Sequence, residues 1–491
     1  MSGRVARQSA WALASSAGTA ILQSATTALV AHWLRPSDFG VAAIVGVIVG
    51  LASALALLGL GTALTQAAKV EPEDAQAVLG LSLALACLLA ALLALGVAPA
   101  LRGPLGVPRL PLLVGVASLA LPLGAVQGVA FGLLQRRLAF DVIARLQIAG
   151  VVLNALFTLA IAVVGGGVLA LVAARLLADA CLLGPTLRRA GAPWRPRFDC
   201  DRAARFTRFG LPVAGAQLLV ALGSQLDTAV LAAMLGAGAL GHYTLAFTLV
   251  MLPALRLAAA VKGVAFAALS RSAGVEPAFT RSACSLLRQM SIACCPLVIG
   301  LASVADDLVP LLLGPGWEAT SSLLVRLAPT GVVAALGSAM GAILLARGRP
   351  GVELRFAVLR IFALGVLVLA GARMDGASGV ACGVSLYHVA AFPLFSYFLQ
   401  RFGGISTANV AAAIAPGLFA ALGMAALVIV AGRELAHLPI GMRLALRVAL
   451  GATSYTALIR SFFPQAWEEA LLTVREARGA GRATGVAVGA R

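Results

Sequence analysis

Arg256 and Lys262 fall inside one apolar run, 240–268, and Asp227 falls inside the run before it, 209–235. A central Arg, Lys or Asp costs about 2.5–3.5 kcal/mol on membrane-insertion scales, so such residues are expected to face a helical-bundle interior and not lipid. The chemistry they offer is anion capture. Arg256 and Lys262 lie about 120° apart around a helix axis; Pro253 allows a bend that changes their relative aim. Lys262 has a second option, snorkelling to the headgroups. Asp227 reads either as the partner of a cation across the bundle or as a carrier of a proton or cation. Arg175 and Asp179, at i and i+4 in the run 166–187, are spaced to pair with each other. Arg145, Arg288 and Arg360 stand at or beside the starts of apolar runs, as an entry rim for an anion or as interface anchors.

Other chemistries lack their residues. The seven cysteines form no CxxC and the four histidines are scattered, so no metal site is expected. Neither lysine, Lys69 or Lys262, follows a GxxxxG, so there is no phosphate-binding P-loop. No catalytic set, no cofactor and no enzyme activity are expected.

The elements that position these charges follow from composition. With 61% hydrophobic residues, 11% charged and a mean hydropathy of +0.98 over 491 residues, the chain has too little polar surface to cover a soluble globule. Spans of about 20 residues are expected from 11–33 through 41–65, 77–101 and so on to 440–462, about fourteen in all. The segment 11–33 reads as an uncleaved first helix, being longer than a signal-peptide core. Helices are expected because hydrocarbon offers the backbone no partner and the runs lack the period-2 alternation of a membrane barrel. Abundant Ala and Gly let helix backbones approach closely. The fold class is an all-α polytopic membrane protein.

Orientation comes from arginine. Nearly all loop arginines fall on the amino-terminal side of the alternating loops, whereas the opposite side holds Arg35, Arg102, Arg109, Arg373 and Arg433. The positive-inside rule puts both termini in the cytoplasm. The net charge of +18 is then loop arginine facing anionic lipid headgroups. Nucleic acid is not an expected partner, since no aromatic-interleaved basic module accompanies the charge.

The turn at residues 34–43, LRPSDFGVAA, has a counterpart. Setting Leu34 on Leu235, an offset of 201, places Ala31 on Ala232 and Gly40 on Gly241 without a gap, and farther on, at an offset of 211, Leu133, Leu134 and Arg136 fall on Leu344, Leu345 and Arg347. Spans one to six and seven to twelve read as duplicated halves. An even number of spans per half inserts both the same way round, so a pseudo-two-fold axis along the membrane normal, with a central cavity, is expected. The expected organisation is a six-helix bundle at 1–187, an amphipathic cytoplasmic linker at 188–208, a second six-helix bundle at 209–403, two additional spans at 404–463 and a cytoplasmic tail at 464–491, partly disordered. Trp194, Phe198 and Phe206 among the linker arginines suit a segment lying on the membrane surface.

LRPSDFGVAA (34–43), LLGLGTALTQ (57–66), LLQRRLAF (133–140), LDTAVLAAMLGAGALGHYTLA (226–246) and LLLGPGWEAT (311–320), in this order, resemble the polysaccharide-transporter (Wzx-type) flippases of the MOP superfamily. The resemblance covers roughly residues 5 to 460. It implies a two-bundle, V-shaped fold in the bacterial inner membrane and transfer of undecaprenyl-diphosphate-linked oligosaccharide from the cytoplasmic to the periplasmic leaflet. The polysaccharide polymerase and glycosyltransferases of the same pathway are the implied protein partners. A lipid II flippase is a close variant. A MATE-type drug/cation antiporter is a third reading, which needs an acidic cavity where the embedded excess here is basic.

Overall fold

The computed structural model describes residues 18–19, 22–56, 59–67, 69–191, 195–271, 276–347 and 351–469. The first half of the span expected at 11–33, Trp194 and the tail beyond residue 469 lie outside them. All regular structure among the described residues is helical. Nine helices among them are long and apolar enough to cross a membrane, from Pro36–Ala56 to Thr407–His437.

Local sequence sets the helix ends. Pro72 occupies the first turn of Pro72–Leu92, where its missing N–H costs nothing, and Glu71 with Asp74 closes a reciprocal capping box. Ser406 accepts a hydrogen bond from the Asn409 N–H (3.2 Å) at the start of Thr407–Glu434. At the turn before Pro36–Ala56, the Asp38 carboxylate reaches back to accept the Arg35 backbone N–H (2.9 Å). Leu95, Val164 and Met374, each more than four-fifths exposed, present the apolar outer surface that a bilayer covers and water would not tolerate.

The long helical stretch Cys200–Arg271 is broken once, at Gly236, whose φ of 78° lies in the region that favours glycine. The break turns one 72-residue stretch into two helices whose side chains meet again.

The chain forms two compact units. One comprises Ile21–Thr244 with Ala357–Ala372. Here the start of Pro36–Ala56 crosses the helix that follows Gly236: a β-carbon on Gly40 would run into the Ala237 carbonyl, and one on Gly241 into the Pro36 carbonyl. Glycine at both positions is what lets the backbones touch. The connection ahead of Cys200–Arg271 is pinned in the same unit. The Arg197 N–H donates to the Gln76 carbonyl (3.1 Å). Arg205 (2.6 Å) and Arg202 (3.4 Å) donate to Asp74, whose side chain is 2% exposed. A second bond, to Glu71 (2.9 Å), raises the Arg202 guanidinium above its ordinary value.

The other unit comprises Met1–Ala20, Leu245–Phe356 and Arg373–Arg491. Helices Glu276–Ser303 and Thr407–Glu434 pack tightly, with Ser291 Oγ donating to the Ile414 carbonyl (2.6 Å). Asp307, buried in the short helix Ala305–Leu313, accepts from Arg443 Nε (2.7 Å) and from Arg447, which also donates to the Ser303 carbonyl.

Candidate functional site

In the first unit, Asp227 is 5% exposed. Its Oδ2 accepts the Tyr243 hydroxyl, and its Oδ1 accepts the Thr228 backbone N–H (2.8 Å). Tyr243 reaches it because the Gly236 break folds the following helix back, and it is itself fully buried. Alongside runs the segment Ala357–Ala372, with Gly365 facing Leu226 and Gly223 facing Ile361. This packing brings Arg360 within electrostatic reach of Asp227 and of Tyr243. No ion pair forms between Arg360 and Asp227 among the described residues. Arg360 Nε is buried with no hydrogen-bond partner. The cluster is a satisfied carboxylate beside a cation with unused donors.

The remaining candidates of this unit pair one turn away on their own helices. Arg175 Nε donates to Asp179 Oδ2 (2.8 Å) with the arginine largely exposed, and the Asp179 carbonyl accepts Gln127 Nε2 (2.9 Å). Arg145 is 70% exposed and sits 3.7 Å from Asp141 one turn away.

In the second unit, Arg256 and Lys262 are both partly buried. Neither makes a hydrogen bond or ion pair among the described residues. Arg288 differs from them: its Nη1 pairs with Glu469 (2.8 Å), while its Nε is buried without a partner. A cavity of about 490 Å³ in this unit is lined by apolar side chains with Arg447 and Tyr455. Among the described residues no group of His, Cys, Asp and Glu is arranged to hold a metal ion.

Three residue sets escaped the sequence reading. Tyr243 stands in the quoted motif 226–246, but nothing in spacing alone joins it to Asp227 across a glycine break. Asp74 carried a signal in its capping-box distance from Glu71, though not its contact with arginines in the linker. Asp307 and Arg447 are too far apart in sequence for any local pattern to link them.

Solved structures share this fold. The lipid II flippase MurJ, in an inward closed conformation, superposes with a TM-score of 0.75 over 92% of this chain and 98% of that chain, at 13% identity. An inward-facing multidrug resistance MATE family transporter of the MOP superfamily gives 0.57 over 80% and 99%, at 16% identity. The class is thus a multi-pass membrane protein with the fold of MOP transporters. The sequence profile of the polysaccharide biosynthesis protein family matches residues 29–322, more than half of the chain, and the chain belongs to that family. It is 29% identical over 209 residues to the lipopolysaccharide biosynthesis protein WzxC of Escherichia coli (strain K12), a match spanning 42% of either chain. It is 27% identical over 341 residues to the teichuronic acid biosynthesis protein TuaB of Bacillus subtilis (strain 168), covering 68% of this chain and 70% of that one. The succinoglycan biosynthesis transport protein ExoT of Rhizobium meliloti (strain 1021) is 26% identical over 315 residues, covering 64% and 63%.

Proposed function

We propose that this chain moves oligosaccharide units linked to undecaprenyl diphosphate from the cytoplasmic to the periplasmic leaflet of the bacterial inner membrane, by alternating access, for exopolysaccharide, capsule or O-antigen synthesis. The biosynthetic and transport roles for which WzxC, TuaB and ExoT are named support this cargo class. One observation carries it for this chain: Arg256, Lys262 and Arg360 are cations within the apolar helical framework that no carboxylate of the protein neutralises among the described residues. A cation retained in a membrane segment without an internal partner is a site for an external anion.

The energetics explain why a protein is needed. Each bare hydroxyl or amide taken into hydrocarbon costs about 2–7 kcal/mol, so a charged oligosaccharide faces a barrier above about 25 kcal/mol, a step on the order of days. The diphosphate-binding candidates are Arg256, Lys262 and Arg288 in one unit and Arg145 and Arg360 in the other, each taken within its own unit, and the lipid tail stays in the bilayer. Asp227, Asp179 and Arg175 are the ion-coupling or ion-pair residues of this reading. Both termini face the cytoplasm, the six-helix bundles are 1–187 and 209–403, and the polymerase and glycosyltransferases of the pathway act on the same lipid-linked units. The protein is a transporter and not an enzyme.

The likeness to MurJ favours one second reading, a lipid II flippase. A cation antiporter is disfavoured because it needs an acidic cavity, whereas Arg256, Lys262 and Arg360, embedded charges without an ion-pair partner among the described residues, are basic. The test is Arg256→Ala in cells whose polymer export depends on this protein. Export is expected to stop while the variant remains in the membrane at normal abundance; unchanged export would remove Arg256 from the site.

A further inference from the structure

Asp227 and Arg360 present a contradiction in electrostatic terms. A buried carboxylate and a half-buried guanidinium in a low-dielectric setting attract strongly, and charged side chains inside membrane segments commonly pair with one another. Here each lies in the other's field, yet no ion pair joins them among the described residues and Arg360 Nε stays without a partner. The reason is on the carboxylate side. Tyr243 donates its hydroxyl to Oδ2, and the Thr228 backbone N–H donates to Oδ1. A carboxylate supplied with a donor on each oxygen gains less from a guanidinium than one left without donors would, and the guanidinium must give up its own solvation to reach it.

We propose that Tyr243 is a positioning residue: by holding the Asp227 carboxylate it keeps the Arg360 guanidinium open to the diphosphate of an incoming lipid-linked sugar. The proposal rests on the reading of Arg360 as a diphosphate contact. Three features of the fold serve the arrangement. The Gly236 break (φ 78°) brings Tyr243 back over Asp227. Gly365 facing Leu226, and Gly223 facing Ile361, let the Arg360 segment lie close to the Asp227 helix. Among the described residues, Tyr243 and Arg360 are the charged or titratable side chains acting on Asp227. Without the phenol, Oδ2 is left as a buried charged acceptor with no donor, and Arg360 is the cation with donors to spare. Capture of Arg360 by Asp227 then closes the anion site from within.

The test measures binding of undecaprenyl diphosphate to the detergent-solubilised full chain by native mass spectrometry, with monodispersity checked by size exclusion. Tyr243→Phe is expected to weaken binding about tenfold, the factor associated with one hydrogen bond to a charged group. Adding Asp227→Asn to that variant removes the competing charge and restores binding to near the wild-type level, a rescue that a merely structural tyrosine would not show. Asp227→Asn alone binds as tightly as wild type or tighter, and this arm stands even if Tyr243→Phe does not fold. Wild-type binding by Tyr243→Phe, failure of the double variant to recover, or weaker binding by Asp227→Asn alone each overturns the proposal. Arg360→Gln separates the two levels: if it weakens binding while Tyr243→Phe does not, only the positioning role falls, and if it binds like wild type the diphosphate assignment of Arg360 falls with it.

Discussion

Gly40 and Gly241 touch each other's helices reciprocally: Gly40 packs against the Ala237 carbonyl and Gly241 against the Pro36 carbonyl. In the register that sets Leu34 on Leu235, Gly40 aligns with Gly241 and Pro36 with Ala237. A contact in which i meets j′ and j meets i′ is what a local two-fold axis between repeated elements requires, as in any isologous interface. Farther on, at an offset of 211 in place of 201, Arg136 falls on Arg347, and each donates to a backbone carbonyl at the end of another helix, Ala67 and Gly403 respectively.

This reciprocity makes the two glycines equivalent. Gly40→Ala and Gly241→Ala should each lower stability by about 1–3 kcal/mol through overpacking against backbone. The double variant should cost less than the sum, because the first β-carbon already separates the helices that the second would clash with. Thermal unfolding in detergent measures all three, and strictly additive losses would contradict the shared contact.

The Asp307 cluster should be the most sensitive charge in the second unit. Arg447 is 7% exposed, and removing its carboxylate in Asp307→Ala leaves an uncompensated buried cation, at a cost of about 3–5 kcal/mol. Replacing Asp307, Arg443 and Arg447 together with apolar residues of similar size should recover most of that loss, as seen when whole buried ion clusters are exchanged. Unfolding midpoints of the single and triple variants check both statements.

Asp74 should govern the connection ahead of Cys200–Arg271. Asp74→Ala removes the acceptor of Arg202 and Arg205 together and one half of the capping box. Faster proteolytic cleavage within residues 195–199 is expected, whereas Arg205→Ala alone, which leaves Arg202 in place, should change the cleavage rate less. Equal cleavage of wild type and Asp74→Ala would show that other contacts hold this segment.

Arg256 and Arg145 should part company in function. Arg256 is half-buried and unpartnered, while Arg145 is largely exposed beside Asp141. Arg256→Ala is expected to abolish polymer export and Arg145→Ala to reduce it by no more than a few-fold, since an exposed charge acts through screened, longer-range attraction. Polymer yield at matched protein abundance measures the difference.

Much of the fold was legible because a bilayer punishes polar backbone and side chains so heavily that apolar runs announce helices. The close crossing at Gly40 and Gly241 left a trace in the sequence because a backbone contact of this kind admits only glycine. The site was legible only in part. Arg256, Lys262, Arg360 and Asp227 stand out as charges in apolar sequence, but whether a charge is paired depends on what the fold brings to it. Asp227 meets Tyr243 only because the chain breaks at Gly236, Arg288 meets Glu469 from the far end of the sequence, and Asp307 with Arg447 looks from sequence like two unrelated interface charges.

The most direct test of the account is flipping in vesicles. The purified chain is reconstituted with a fluorescent oligosaccharide on undecaprenyl diphosphate, and a membrane-impermeant quencher reports how much of the label can be reached from outside. Wild-type protein should render nearly all of it reachable over minutes, with Arg256→Ala close to protein-free vesicles. A protected fraction that stays the same with and without wild-type protein would contradict the account.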